Sequence, residues 1–163
     1  METANGFAIL PIKTEFAGPA PKAPGGDYED VIDEALNYFR ASILFKHFEV
    51  KGPADKTFIY LTCFICKCLE TIQKSPEQDA ATKAIFKLSM EPVTSGSSSS
   101  FFMKDLVKYS AKEDDKFKKY LLQSKQECAS RLMQILYNPE WGTLDLKFWL
   151  AFAKKKFLNR SFN

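Results

Sequence analysis

An all-α fold is predicted for this chain: a compact single domain of about five helices behind an extended, proline-rich N-terminal arm. Three observations carry that expectation. Apolar residues recur at three- and four-residue steps over long stretches, the mark of helices with one buried face. Helix-start signatures, a Gly-Pro pair and two Ser-x-x-Glu/Gln boxes, punctuate those stretches. Finally, four of the eight prolines lie in the first 26 residues, where they exclude a helix. The domain reading is an arm over 1–26 and a helical domain over 27–163.

The arm, "FAILPIKTEFAGPAPKAPGG", carries Pro11, Pro19, Pro21 and Pro24 together with Gly18, Gly25 and Gly26. Proline fixes φ and removes a donor, so the stretch runs extended or as polyproline II. Ile9, Leu10, Ile12 and Phe16 are too apolar for a solvated tail, so the arm is expected to lie against its own domain or a neighbour. A long helical pattern follows in "DYEDVIDEALNYFRASILFKHFEV" (27–50), with Asp27 as the expected cap and Ile32, Ala35, Leu36, Phe39 and Ile43 as its stripe. Gly52-Pro53 restarts the chain into "KTFIYLTCFICKCLETIQK" (56–74), apolar almost all round and hence a central buried helix.

Ser75-Pro76-Glu77-Gln78 reads as a capping box with proline at the first helical position, opening a helix over 76 to about 89 that Pro92 ends. "EPVTSGSSSS" (91–100) is low in complexity and favours a mobile loop, and "FFMKDLVKY" (101–109) is open between a short strand and a return to the core. A second box, Ser110 to Glu113, opens a helix to about Tyr137 with Phe117, Tyr120, Leu121, Cys128, Leu132 and Ile135 inward. After the turn "NPEWG", Thr143 caps a last helix, "LDLKFWLAFAKKKFLN", whose basic end suits its C-terminal dipole.

Composition bounds the function. A domain of 163 residues buries roughly 70% of its unfolded surface, so neither metal nor disulfide is needed to hold it. A formal charge of +3 is far from the footprint of a dedicated nucleic-acid binder. No apolar run reaches the ~18–20 residues that cross a bilayer, the N-terminus has no secretory or myristoylation pattern, and the C-terminal "NRSFN" is no prenylation box. The expected address is cytoplasmic, with free thiols. Fifteen Phe, six Tyr and two Trp exceed what a small core requires and point to apolar surface kept for a partner.

The cysteine-rich "LTCFICKC" (61–68) is the strongest chemical candidate. At about 100° per residue Cys63 and Cys66 share a helix face while Cys68 points away, and only Cys128 and His47 remain to complete four zinc ligands. A redox C-x-x-C acts at an exposed helix N-terminus, whereas this pair sits two turns inside an apolar helix. Core packing is the better reading. His47 has Glu49 two residues on, on a different side of a helix, and receives no role. With no P-loop, dinucleotide or nucleophile-elbow motif present, neither an enzyme nor a cofactor is expected. "FAKKKFLNR" (152–160) admits three readings: a packed helix end, docking to an acidic protein surface, or binding of RNA or an acidic membrane surface.

Three stretches in order resemble subunit three of the actin-related protein 2/3 complex: "LPIKTEFAGPAP" (10–21), "VIDEALNYFRASILFKHFEVKGPADKTFIYLT" (31–62) and "FWLAFAKKKFLNRS" (148–161), with "YLLQSKQECASRL" (120–132) in support. The segment from Ser75 to Lys108 departs from that family, as do Cys63 and Cys66, whereas Cys68-Leu69 fits its helix. The resemblance implies an all-helical, non-enzymatic subunit of a seven-subunit assembly that nucleates branched actin filaments. It would sit chiefly against the actin-like Arp3 subunit, in cortical actin networks. The expected partner contacts are Leu10, Pro11, Ile12 and Phe16 of the arm and the basic Lys154, Lys155, Lys156 and Arg160.

Overall fold

The computed structural model describes residues 3–4, 7–39, 52–75, 77–91 and 115–137. Along these run two short strands, β1 (Thr3–Ala4) and β2 (Phe7–Ala8), then four helices: α1 (Val31–Asn37), α2 (Pro53–Lys74), α3 (Gln78–Met90) and α4 (Asp115–Leu136). The expected helix beyond Thr143, the Ser110–Glu113 box, the serine run, His47 and residues 101–109 lie outside the described residues.

β1 and β2 pair antiparallel, Thr3 opposite Ala8 and Ala4 opposite Phe7. The pairing positions one large side chain. Phe7 is fully buried, edge-on to Tyr60 of α2 at 6.2 Å and tilted against Phe117 of α4 at 5.1 Å. Ile9 and Ile12 continue into the same core. Between β2 and α1 the described chain is non-helical, and one parallel bridge, Ile12 to Lys22, closes a loop over 13–21.

α1 begins three residues later than the sequence pattern placed it. Asp30, not Asp27, is its cap: an Asp30 carboxylate oxygen accepts from Asp33 N–H at 2.9 Å, and Asp33 answers by accepting from Asp30 N–H. Asp27 is exposed and follows Gly26, whose φ of 79° turns the chain before the helix starts. The expected single helix over 27–50 is also interrupted: α1 closes at Asn37, with the Tyr38 N–H on the Glu34 carbonyl. The predicted stripe is nevertheless buried at Ile32, Ala35, Leu36 and Phe39.

α2 starts as the Gly-Pro pair dictates, with Gly52 as an extended cap and Pro53 at the first helical position. Its residues from Ile59 to Cys66 are all buried, so it is the central rod of the core, in contact with β2, α1, α3 and α4. Two buried threonines in this rod are internally satisfied. Thr57 donates to the Ala8 carbonyl at 2.8 Å, which ties the rod to β2, and Thr62 donates to Phe58 at 2.9 Å.

The Ser75–Gln78 capping box is not formed. Ser75 instead closes α2, its N–H on the Ile72 carbonyl, and α3 begins at Gln78 from a Glu77 cap that makes no side-chain bond. A serine one residue past the end of a helix has its backbone committed there, and the sequence alone does not say which neighbour it serves. α4 packs Phe117, Tyr120, Leu121, Cys128 and Leu132 inward as expected, with Leu136 rather than Ile135 fully buried at its end. From α4 the 4%-exposed Lys125 reaches the Glu91 carbonyl at the C-terminus of α3 with a bond of 2.6 Å.

Two stability predictions follow from this packing. Phe7→Ala removes a fully buried ring at the junction of two helices, so the urea midpoint should fall by the equivalent of ~3–5 kcal/mol at unchanged m-value. Burial lowers the Lys125 amine to about 8, against 10.5 in the open chain. Between those values the unfolded chain holds the extra proton, so this group makes stability rise with pH there. Lys125→Met should therefore gain most below pH ~8, by about 3 kcal/mol at most, and the gain should vanish towards pH ~10.5. A pH series of urea titrations on both proteins reads this directly.

Candidate functional site: a segment held by side chains

The N-terminal segment has little regular backbone pairing of its own, and side chains of α1 and α4 hold it instead. Three contacts do most of this. The Tyr120 hydroxyl accepts from Leu10 N–H at 3.0 Å and donates to the Leu10 carbonyl at 3.1 Å. Gln123 imitates a strand partner: its Nε2 donates to the Phe16 carbonyl at 3.0 Å and its Oε1 accepts from Ala20 N–H at 2.9 Å. Thr14 donates to Glu127 at 2.9 Å and accepts from Phe16 N–H at 3.0 Å.

The Gln123 contact explains Gly18. A Cβ there would lie 2.4 Å from the Gln123 side-chain carbonyl group. Because both ends of that amide are engaged by the segment, it cannot swing aside without losing its bonds. Only glycine lets the backbone pass so close.

Arg131 is the charged centre of the arrangement. Its guanidinium meets Asp30 with two bonds, at 2.7 and 2.8 Å, Asp33 at 2.9 Å and Glu127 at 2.9 Å, and also donates to the Lys13 carbonyl. Lys13 in turn gives its N–H to Asp30 at 2.9 Å and its ammonium to Asp33 at 2.7 Å. The Asp30 side chain is fully buried and that of Arg131 is 15% exposed. Burial by itself would raise the Asp30 carboxyl, but Arg131 and the N–H groups of Asp33 and Lys13 outweigh it and hold the group below its ordinary 3.8. Arg131 is likewise raised, its carboxylate partners overcoming the cost of burial.

Above this ion cluster the 13–21 loop and one face of α4 enclose an open groove of about 900 Å³, with Phe16, Lys22, Gln123, Ser130 and Gln134 among its walls. Of the residues read from sequence as partner contacts, Leu10, Pro11 and Phe16 are half-buried on this segment. Ile12 is 3% exposed and belongs to the chain's own core. Lys154, Lys155, Lys156 and Arg160 lie outside the described residues. Arg131, Gln123 and the Asp30–Asp33 pair were not singled out. The one local signal was Glu127-x-x-x-Arg131, a four-residue spacing that reads as an ordinary solvated pair.

The cysteines lie in the core, three on α2 and one on α4. Cys63, Cys66, Cys68 and Cys128 are buried thiols. Burial pushes the Cys66 and Cys68 thiols well up and Cys128 to about 12, so none of these three is a thiolate at neutral pH. Among the described residues no group of three or more His, Cys, Asp or Glu could hold a metal ion.

The ion cluster predicts an acid limb. The depressed Asp30 group contributes stability that is complete above its unfolded value of 3.8 and is lost as pH falls through its lower folded value. Arg131→Met strands a buried carboxylate and should cost ~3–5 kcal/mol at pH 7. The deficit should shrink as pH falls, first above 3.8 as the stranded, burial-raised carboxyl takes its proton, and further below 3.8 as wild type loses the Asp30 contribution. Chemical denaturation at several pH values checks both the size and the sign.

Residues 1–162 match the P21-Arc family, described as the ARP2/3 complex ARPC3 (21 kDa) subunit. The chain is 40% identical over 155 residues to actin-related protein 2/3 complex subunit 3 of Dictyostelium discoideum, covering 94% of this chain and 87% of that protein. It is 37% identical over 158 residues to the subunit of the same name in Arabidopsis thaliana, covering 96% and 89%. With that of Saccharomyces cerevisiae it shares 35% over 159 residues, covering 95% and 88%. By the extent and consistency of these matches, the chain belongs to the P21-Arc family.

Proposed function

We propose that the chain is a non-catalytic structural subunit of an actin-related protein 2/3 complex, a seven-subunit assembly that nucleates branched actin filaments in cortical networks. The observation that carries this is the family match over residues 1–162, with relatives from a plant, a social amoeba and a yeast that bear the same subunit name. The geometry is in keeping with it. The thiols that looked most chemical are packed in a central helix, while the polar side chains of α1 and α4 are spent ordering a surface segment.

In this reading residues 1–26 form an arm laid on a helical domain over 27–163. The arm presents Leu10, Pro11 and Phe16 to the actin-like Arp3 subunit, and Lys154, Lys155, Lys156 and Arg160 add a basic contact to an acidic protein surface. Ile12 serves the same contact from beneath, by anchoring the arm in the core. The subunit binds actin filaments through the complex and needs no cofactor.

Tagged protein expressed from its own locus should co-purify with actin-related proteins and elute far above its 18.6 kDa mass. A lone monomer in native extract overturns the proposal. Phe16→Asp, or Lys154, Lys155 and Lys156 all changed to Glu, should leave the purified chain folded by circular dichroism yet reduce recovery of the Arp3-type partner by about tenfold or more. Recovery at wild-type level in both variants would remove these residues from the interface.

A further inference from the structure

Of the described helices, α3 is the least firmly held. Its buried face is Ala81, Ile85 and Ser89, of which Ile85 alone is a large apolar side chain, while Phe86 and Met90 stand exposed. At its N-terminus the Glu77 cap makes no side-chain bond to the first N–H groups. Two side chains of α4 tie down its C-terminal end: Lys125 on the Glu91 carbonyl at 2.6 Å and Gln126 on the Met90 sulfur at 2.9 Å. The first of these ties is unusual. Lys125 is 4% exposed, yet its ammonium, with three donors, has that one acceptor and joins no ion pair among the described residues. A lysine so deeply buried is ordinarily paired with a carboxylate. The titratable groups acting on it are Glu91, an exposed residue that gives it a carbonyl and no carboxylate bond, and Cys68 of α2, a thiol that burial keeps protonated.

We propose that α3 undocks from α2 and α4 as a unit while the rest of the chain stays folded, and that the charge on Lys125 sets how often it does so. A helix with one large buried side chain gives up little apolar contact when it lifts. The ammonium gains by the same movement. Opening returns to water the donors that lack acceptors, and it removes the cost of a charge buried without a counter-ion. The pH dependence follows from this. The amine sits at about 8 when closed and returns towards 10.5 once hydrated, so between those values the open form binds the extra proton. Opening is therefore most frequent at pH 7 and below, and it becomes rarer by about tenfold between pH 7 and pH 9. Near neutral pH the helix is poised to lift and uncover the faces of α2 and α4 on which it packs. The device belongs to the chain itself, and it stands or falls apart from the proposed assembly.

Hydrogen exchange of the full chain, read by mass spectrometry and corrected for the intrinsic pH dependence of amide exchange, tests this first without any variant. At pH 7 the α3 amides should exchange at least about tenfold faster than those of α2, and with a shallower dependence on urea, because they open without global unfolding. The corrected α3 rate should fall about tenfold from pH 7 to pH 9. In Lys125→Met, which has no charge to release, the α3 rate at pH 7 should be about tenfold or more below wild type and flat over that range. The urea-slope comparison separates this local event from the global stability change expected of the same variant. One protection and one urea slope shared by α2 and α3 would mean that α3 opens only with the whole chain, which overturns the proposal. A flat wild-type pH profile overturns it too, as does α3 exchange in Lys125→Met as fast as in wild type.

Discussion

The junction of the N-terminal segment with α1 and α4 centres on one guanidinium. Arg131 presents five N–H donors in a fixed plane, and five contacts account for them: two to Asp30 and one each to Asp33, Glu127 and the Lys13 carbonyl. Those partners come from three parts of the chain: the non-helical segment, the first turn of α1 and α4 itself. No other side chain could replace it, because lysine offers three donors from a single point and cannot lie flat between two carboxylates. The cluster thus sets where α1 begins, since the Asp30 carboxylate that caps it is also the one Arg131 grips. It also fixes how the segment enters, since Lys13 is bound through its N–H, its carbonyl and its ammonium. Such a pair is not a cheap source of stability, because both charges must be desolvated. What it adds is a unique docking of segment on helix, which apolar packing alone would leave free to slide.

The core beneath obeys a different constraint. The stretch of α2 from Ile59 to Cys66 is surrounded, so its positions had to be apolar or hydrogen-bonded, and the sequence meets that demand with Cys, Ile, Leu, Phe, Tyr60 and a Thr62 that bonds back to its own helix. A small apolar thiol fits between neighbours where leucine would overpack. The cluster at 63–68 is therefore a consequence of the helix being central. The same burial that makes these residues good filler also removes their chemistry.

This contrast decides what could be read from the sequence. α2 was legible nearly to the residue because a Gly-Pro start and an all-round apolar run are local facts. α4 was legible on its inner face for the same reason. The caps failed where two local readings competed. Asp27 and Asp30 both stand before an apolar stripe, and the choice was made by Arg131, 101 residues away from Asp30. Ser75 could close one helix or open the next, and its sequence context is identical in both cases. Ile12 was grouped with Leu10, Pro11 and Phe16 because the arm has no period to assign its faces. Tyr120 and Gln123 were visible only as helix positions, since their segment-binding roles rest on residues 103 and 110 positions distant.

Preordering is what these side chains contribute to the segment. A proline-rich segment free in solution would have to be immobilised by its partner, at a cost of roughly 1–2 kcal/mol per residue of backbone. Here Tyr120, Gln123, Thr14 and Arg131 meet that cost within the chain, so Leu10, Pro11 and Phe16 stand half-exposed on backbone already fixed. An interface built on such a surface retains more of its contact energy as affinity. The polar groups Tyr120, Gln123 and Arg131 of α4 face the segment instead of water and decide how its surface is presented. By the same logic Gly18 is part of what fixes the segment. A methyl group there would displace Gln123 and release the loop that carries Phe16.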